Sequence, residues 1–252
     1  MNQIELKEFL DYKANKYESV NFIDTDPIKI PHQFSKKEDI EISGFLVASI
    51  AWGNRLSILN SATKMIDMME SSPYDFIMNH NKSDLKVFEG FVHRTFNETD
   101  LNFFVRSLKN IYKYHNGLEN VFNSNKSSLQ EAIHNFKSIF FEINHPPRTV
   151  KHVSDPLKGS AAKRLNMFLR WMVRPNTRGV DFGIWKDHSP SQLSIPLDVH
   201  TGNIARKLNM IKRKQNDAKT LKELDKKLRE FDSIDPVKYD YALFGLGVFE
   251  KF

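Results

Sequence analysis

The stretch from Asp39 to Met69, DIEISGFLVASIAWGNRLSILNSATKMIDMM, constrains the fold more than any other part of the chain. Apolar residues recur at helical spacing in two segments, and Trp52-Gly53-Asn54-Arg55 separates them with a glycine and an asparagine suited to a turn. This predicts a buried helix, a short break and a second helix. The same periodicity predicts helices over Leu85 to His93, Leu101 to Tyr114 and Ser127 to Phe141. The last follows the polar run NSNKSS and is stopped by Pro146-Pro147. Alternating β-branched runs are scarce and there are ten glycines in 252 residues, so the expected fold class is all-α.

In the second half, DPLKGSAAKRLNMFLRWMVRP (Asp155 to Pro175) predicts a turn and N-cap at Gly159-Ser160. A helix follows, with Leu165, Phe168, Leu169, Met172 and Val173 at helical spacing. The run NTRGVDFGIWKDHSPSQ reads as loop. SIPLDVHTGNIARKLNM then sets Asp198 behind a proline at the entrance to a short basic helix, where a carboxylate serves as an N-cap. Lys219 to Phe231 carries Leu221, Leu224, Leu228 and Phe231 as an apolar stripe, and DPVKYDYALFGLGVFEKF closes the chain. With no repeat and no obvious boundary between independent domains, one all-α domain over residues 1–252 is expected. It should have two helical lobes, 36–145 and 146–252, a central cleft, and N-terminal residues completing the second lobe.

There is no cysteine, which excludes disulfides, thiolate metal sites, cysteine nucleophiles and cysteine-ligated iron–sulfur clusters. The opening MNQIELKEFLDYKANKY lacks the apolar run of a signal peptide, and no stretch is long and apolar enough to span a bilayer, so a cytoplasmic protein without a membrane partner is expected. The net charge of +6 is unevenly spread: −2 over residues 1–126, +8 over 127–252 and +10 within Pro146 to Lys214. A phosphate-facing surface and a pair of solvated helices both account for that excess. Nine histidines occur without HExxH or comparable spacing, so neither a metal nor a cofactor is expected.

The Gly-containing turn, the helix with Lys163 in its first turn and the later Leu197-Asp198-Val199-His200 segment together resemble the helix-hairpin-helix DNA glycosylase superfamily, which contains endonuclease III and the 8-oxoguanine glycosylases. In that superfamily a Leu-Pro-Gly-Val-Gly-Arg-Lys-Thr-Ala hairpin carries a catalytic lysine, and Val-Asp-Thr-His carries a catalytic aspartate. The hairpin here reads Leu157-Lys158-Gly159-Ser160-Ala161-Ala162-Lys163-Arg164-Leu165, so Lys163 falls on the lysine and Asp198 on the aspartate. The runs KRLNMFLRWMVR, GVDFGIW, IPLDVHTGNIAR and DPVKYDYALFGLG also resemble an uncharacterised bacterial family related to those enzymes. There are departures: Ala161 replaces the second hairpin glycine, Ser160 replaces the apolar residue between the glycines, the spacing from Lys163 to Asp198 is longer than in endonuclease III, and the iron–sulfur loop is missing.

The resemblance implies a monomeric, nucleoid-associated DNA glycosylase acting on double-stranded DNA with an extruded base, an oxidised purine being the first substrate expected. Asp198 would stabilise positive charge at C1′, and Lys163 would form a Schiff base if the enzyme also nicks the strand. Early helix burial and the helix dipole lower a lysine's proton affinity, while a nearby aspartate opposes this. Gly159, Ser160, Ala161 and Ala162 would offer backbone N–H groups to a phosphate, with Arg206 and Lys207 as further phosphate contacts. Asn54 and Arg55 would enter the duplex or contact the opposite base, and Trp52, Trp185 and His200 are the candidates for the base pocket. Plainer readings stand beside these: Trp52 as core, Trp171 and Phe168 as packing, His200 as a hydrogen-bonded structural residue, Lys163 as a solvated helix lysine. Two other functions fit the same residues, a non-catalytic DNA-binding protein of this fold and an all-α protein-interaction scaffold.

Overall fold

The computed structural model describes residues 1–123 and 128–252. The chain is mostly helical. Its helices are α1 (Gln3–Tyr17), α2 (Val20–Ile23), α3 (Lys37–Ser49), α4 (Arg55–Asp67), α5 (Pro73–Asn79) and α6 (Glu98–Tyr114), then α7 (Gly117–Asn123), α8 (Leu129–Phe140), α9 (Lys163–Val173), α10 (Val199–Lys207), α11 (Ala218–Phe231) and α12 (Tyr239–Val248). Among the described residues the sheet is confined to β1 (Val92–His93) and β2 (Phe96–Asn97), paired antiparallel with His93 opposite Phe96. Also among these residues, no helix is long and apolar enough to cross a membrane.

The chain divides into two compact units, and the division is discontinuous in sequence. One comprises residues 1–24, 128–130 and 155–252; the other comprises 25–127 and 131–154. The second boundary thus falls after Ser154, nine residues beyond the lobe limit expected from the sequence, and the first 24 residues belong with the C-terminal part.

In the unit holding residues 25–127, α3 is buried from Ile40 to Ser49, which is what a helix apolar on all sides requires. Phe45 meets Phe104, Phe136 and Phe140 at ring separations of 5.3–5.8 Å. The break between α3 and α4 lies where the sequence puts it. Gly53 has φ +100°, and Asn54 caps α4 by accepting from the Ser57 N–H at 3.1 Å. The helix expected over Leu85 to His93 is absent. Residues Asp84–Phe88 form a 3-10 turn, Gly90 at φ +75° interrupts the periodicity, and the following residues turn back as β1 and β2. The start of the expected Ser127–Phe141 helix and most of the NSNKSS run lie outside the described residues.

In the other unit, α1 packs along α12, and α10 packs on α12 as well. Helix α1 begins with a capping box in which Asn2 accepts from Ile4 and Glu5 while Glu5 reaches back to the Asn2 N–H. Its buried stripe is narrow: Leu6, Leu10 and Ala14, spaced four apart. Those residues join Leu197, Ile204, Leu224 and Leu246 in one hydrophobic core. Helix α9 is buried from Leu165 to Val173, including Arg170 in the middle.

Candidate active site

The loop before α9 is a tight reversal. Asp155 caps the 3-10 turn Pro156–Lys158, Gly159 takes φ +91°, and Ala162 takes φ +45° as the N-cap of α9. A left-handed alanine carries a steric cost that glycine avoids, so the surrounding contacts impose this conformation. They can be named. The Gly159 carbonyl accepts from the Ala218 N–H at 3.0 Å, Ser160 bridges to Asp217, and the Ala161 carbonyl accepts from the Asn166 amide at 2.9 Å. The N-cap expected at Gly159-Ser160 is therefore displaced to Ala162, which has no side-chain oxygen to cap with. Ser160 Oγ instead accepts from the Ala162 N–H at 3.0 Å.

This geometry changes what the hairpin offers an anion. The N–H groups of Gly159, Ser160 and Ala162 donate within the loop, to Pro156 O, Asp155 O and Ser160 Oγ. Of the four residues expected to face a phosphate, three have their donors committed, and Ala161 is buried at 6% exposure. Lys163 is the first residue of α9 and is half-buried.

The second segment is held in place by α11. Arg229 donates to the Ser191 and Leu193 carbonyls, and the Asp225 carboxylate accepts from the Ile195 N–H at 3.0 Å. The extended run is thereby delivered to Asp198, which caps α10 by accepting from the Thr201 N–H at 2.8 Å. Asn216 donates to the Asp198 carbonyl at 2.7 Å and is itself gripped by Arg206, whose Nε also donates to the Arg213 carbonyl at 2.7 Å. Arg206 thus ties a loop to the Asp198 segment. Lys207 is exposed and donates to the Phe252 carbonyl.

The far end of α9 carries a buried ion cluster that sequence reasoning missed. Arg170 pairs with Asp240 and, through Nε, with Asp181 at 3.2 Å. Arg174, one turn on, pairs with Glu18, with Asp181 at 3.0 Å and with Asp235 at 2.8 Å. The Tyr241 hydroxyl donates to Asp181 at 2.9 Å, and the Arg170 guanidinium lies over the Tyr241 ring at 4.5 Å. Arg170 and Arg174 are 3% and 4% exposed, which places their charges where pairing is obligatory. The available signal was two arginines four apart, Arg170 and Arg174, at the end of a helix whose last turns are otherwise apolar.

Asp240 is buried beside Arg170. That burial, aided by the charge of Asp198, raises its carboxyl to about 6 against the opposing charges of Arg170 and Lys163.

The remaining expected residues each have local surroundings of their own. Trp185 is 1% exposed, edge-on to Phe168 at 5.4 Å, so it packs the core and does not line an open base pocket. His200 is exposed, its ring edge-on to Phe244 at 6.3 Å, with no hydrogen-bond partner among the described residues. Trp52, Asn54 and Arg55 belong to the other unit. Trp52 is half-buried between His93 and His152, with ring separations of 5.2 and 6.0 Å, and Arg55 lies 3.7 Å from Asp26. Among the described residues, no group of three or more histidine and acidic side chains is placed to hold a metal ion.

Residues 26–249 match the family described as Protein of unknown function (DUF2400), and with that extent the chain belongs to it. No curated protein and no solved structure matches the chain.

Proposed function

We propose that this DUF2400 protein is a DNA glycosylase of the helix-hairpin-helix kind, excising a damaged base and cleaving the strand through a Schiff base on Lys163. One observation carries the reading: Lys163 opens α9 directly behind a tight left-handed reversal and Asp198 caps α10, the two positions that the resemblance gives to a catalytic amine and carboxylate. An amine and a carboxylate at one site are what N-glycosidic cleavage with lyase activity requires. The C1′–N bond breaks with its electron pair leaving on the base, the Asp198 carboxylate offsets the positive charge on the sugar, and the neutral Lys163 amine bonds to C1′. Two features support the assignment further. The left-handed Gly159 and Ala162 shape a compact hairpin ahead of α9, and the net charge of +10 over Pro146 to Lys214 suits a polyanion.

The test is borohydride trapping of the full chain on duplexes bearing 8-oxoguanine, other oxidised or alkylated bases, or an abasic site. A covalent complex with the wild type and none with Lys163→Gln is expected. Absence of trapping and of base release over the whole panel overturns the enzyme assignment. Salt-dependent duplex binding without release would then identify a non-catalytic DNA-binding protein, and no binding at low salt a protein-interaction scaffold.

A further inference from the structure

One short loop grips both of the segments that carry Lys163 and Asp198. It runs through Asn216 and Asp217 into Ala218, the first residue of α11. On one side Ala218 donates its N–H to the Gly159 carbonyl at 3.0 Å, and Asp217 pairs with Ser160 as an isolated antiparallel bridge, so the hairpin before α9 is held. On the other side Asn216 Nδ2 donates to the Asp198 carbonyl at 2.7 Å. That carbonyl also accepts from the Gly202 N–H at 2.9 Å, so both of its lone pairs are used and the Asp198 peptide plane is fixed. The two grips are two residues apart, a reach of at most about 7 Å even in a fully extended chain. The loop is itself firmly built. Asp217 caps α11 by accepting from the Thr220 N–H at 2.9 Å, the buried Thr220 hydroxyl donates to the Gln215 carbonyl at 2.6 Å, and Arg213 donates to both Asp217 and the Thr220 hydroxyl.

Helix α10 is shaped for this contact. A Cβ on Gly202, in the interior of α10, would lie 2.6 Å from Asn216 Oδ1 and 2.9 Å from its Nδ2. Glycine is disfavoured inside a helix, and here its missing side chain lets the Asn216 amide reach Asp198. Arg206, one turn on, donates to Asn216 Oδ1 and so leaves the amide N–H turned toward Asp198. The Asp198 carboxylate keeps one oxygen on the Thr201 N–H, and the other has no hydrogen-bond partner among the described residues. We propose that Asn216 is a positioning residue of the candidate active site: its amide straps the hairpin that leads into Lys163 to the cap formed by Asp198, and so fixes the spacing of amine and carboxylate. The proposal rests on the reading of those two residues as the catalytic pair. Asn216 acts through the Asp198 backbone and takes no part in bond making or breaking.

Because the chain has no cysteine, a pair can be introduced for spin labelling without removing any other. Leu157, 59% exposed on the hairpin, and Val199, 65% exposed next to Asp198, are replaced by cysteine in the full chain, and the distance between the nitroxides is measured by dipolar electron paramagnetic resonance. Asn216→Asp keeps the acceptor for Arg206 and removes the donor to Asp198; Gly202→Ala displaces the same amide from the side of α10. Each should shift or broaden the distance by more than about 1 Å, a misplacement that reaction geometry does not tolerate. Asn203→Ala, which removes only a 3.4 Å contact to Arg206, should leave it unchanged. An unchanged distance in Asn216→Asp or Gly202→Ala, or an equal change in Asn203→Ala, overturns the proposal. So does loss of the cooperative unfolding transition in Asn216→Asp, which would make the loop architectural. On duplexes that the wild type cleaves, Asn216→Asp should slow single-turnover base release about 100-fold with duplex affinity unchanged, and a loss of affinity alone also overturns the proposal. The nitroxide distances need no activity, so a wild type that releases no base removes the catalytic reading while the strap is still judged by the distances.

Discussion

Glu18 and Arg174 form a bidentate ion pair inside the unit that contains α9, both carboxylate oxygens accepting from the guanidinium, the Nη2 contact at 2.9 Å. They are 5% and 4% exposed. Glu18 lies upstream of the residues that match the family, yet it closes the cluster on which Asp181, Asp235 and Tyr241 also depend.

Replacing Arg174 with methionine should therefore destabilise the protein by about 3–5 kcal/mol, because Glu18 and Asp181 are left buried without their partner. Urea unfolding measures this. A loss below about 1 kcal/mol would mean that the two carboxylates find water or another cation.

Asp198 has two separable jobs. Asp198→Asn keeps the oxygen that accepts from Thr201, so its unfolding midpoint should stay close to wild type while base release is lost. Asp198→Ala should lose base release and also about 1 kcal/mol of stability with the cap. If Asp198→Asn retains activity, capping is all the carboxylate does.

Asp225 gives a pH dependence of known sign. It is 8% exposed and its carboxyl is raised by burial from 3.8 to about 6, against the opposing hydrogen bonds of Ser194 and Ile195 and the charge of Arg229. The folded protein binds this proton more tightly than the unfolded chain, so Asp225 favours folding most when protonated, and that contribution is lost as pH rises from about 4 through 6. Asp225→Asn keeps the acceptor for Ile195 and does not titrate. Its stability relative to wild type should improve by on the order of 2 kcal/mol between pH 4 and 7.5, measured by urea unfolding at both pH values. A gap that stays constant across the two would exclude the shift.

Two glycines with positive φ separate backbone freedom from space. A Cβ on Gly183 (φ +56°) would come 2.7 Å from Pro175 Cα and 2.8 Å from the Arg174 carbonyl, so backbone would have to move. A Cβ on Gly159 (φ +91°) meets nothing within 4 Å. Gly159→Ala should cost only the conformational term of about 1 kcal/mol, and Gly183→Ala clearly more, as read from their thermal midpoints.

The three tryptophans should respond differently to a small quencher. Trp171 and Trp185 are 0% and 1% exposed while Trp52 is half-buried. Acrylamide should reach Trp52 first, and Trp52→Phe should remove most of the quenchable emission. Unchanged quenching in that variant would show that the α9 region opens readily.

What could be read in the sequence was what local spacing encodes. The break at Trp52 to Arg55, the α9 stripe and the Asp198 cap all arise from residues within one or two turns of each other. The Leu85 to His93 segment defeated the same reasoning because Gly90 reverses the chain before a helix can propagate. Helix α1 was not anticipated, since a stripe of Leu6, Leu10 and Ala14 is too narrow to stand out among its charged neighbours. The ion cluster was hidden for another reason: Glu18, the arginines at the end of α9, Asp181 and the Asp235–Asp240 stretch come from separate parts of the chain, and each looks like an ordinary surface charge until the fold brings them together. Trp185 failed in the opposite sense, a residue in a loop sequence that the fold buries against Phe168.

The packing of α1 along α12 has a consequence for how the chain is made. Synthesis delivers α1 before α12, which leaves the ribosome only after every residue of the other unit has emerged. Residues 25–127 and 131–154 form the other unit, whereas Leu6, Leu10 and Ala14 belong to a core completed by residues made later, Leu243 and Leu246 among them. That stripe is narrow, so the apolar surface α1 leaves uncovered until α12 is made is small.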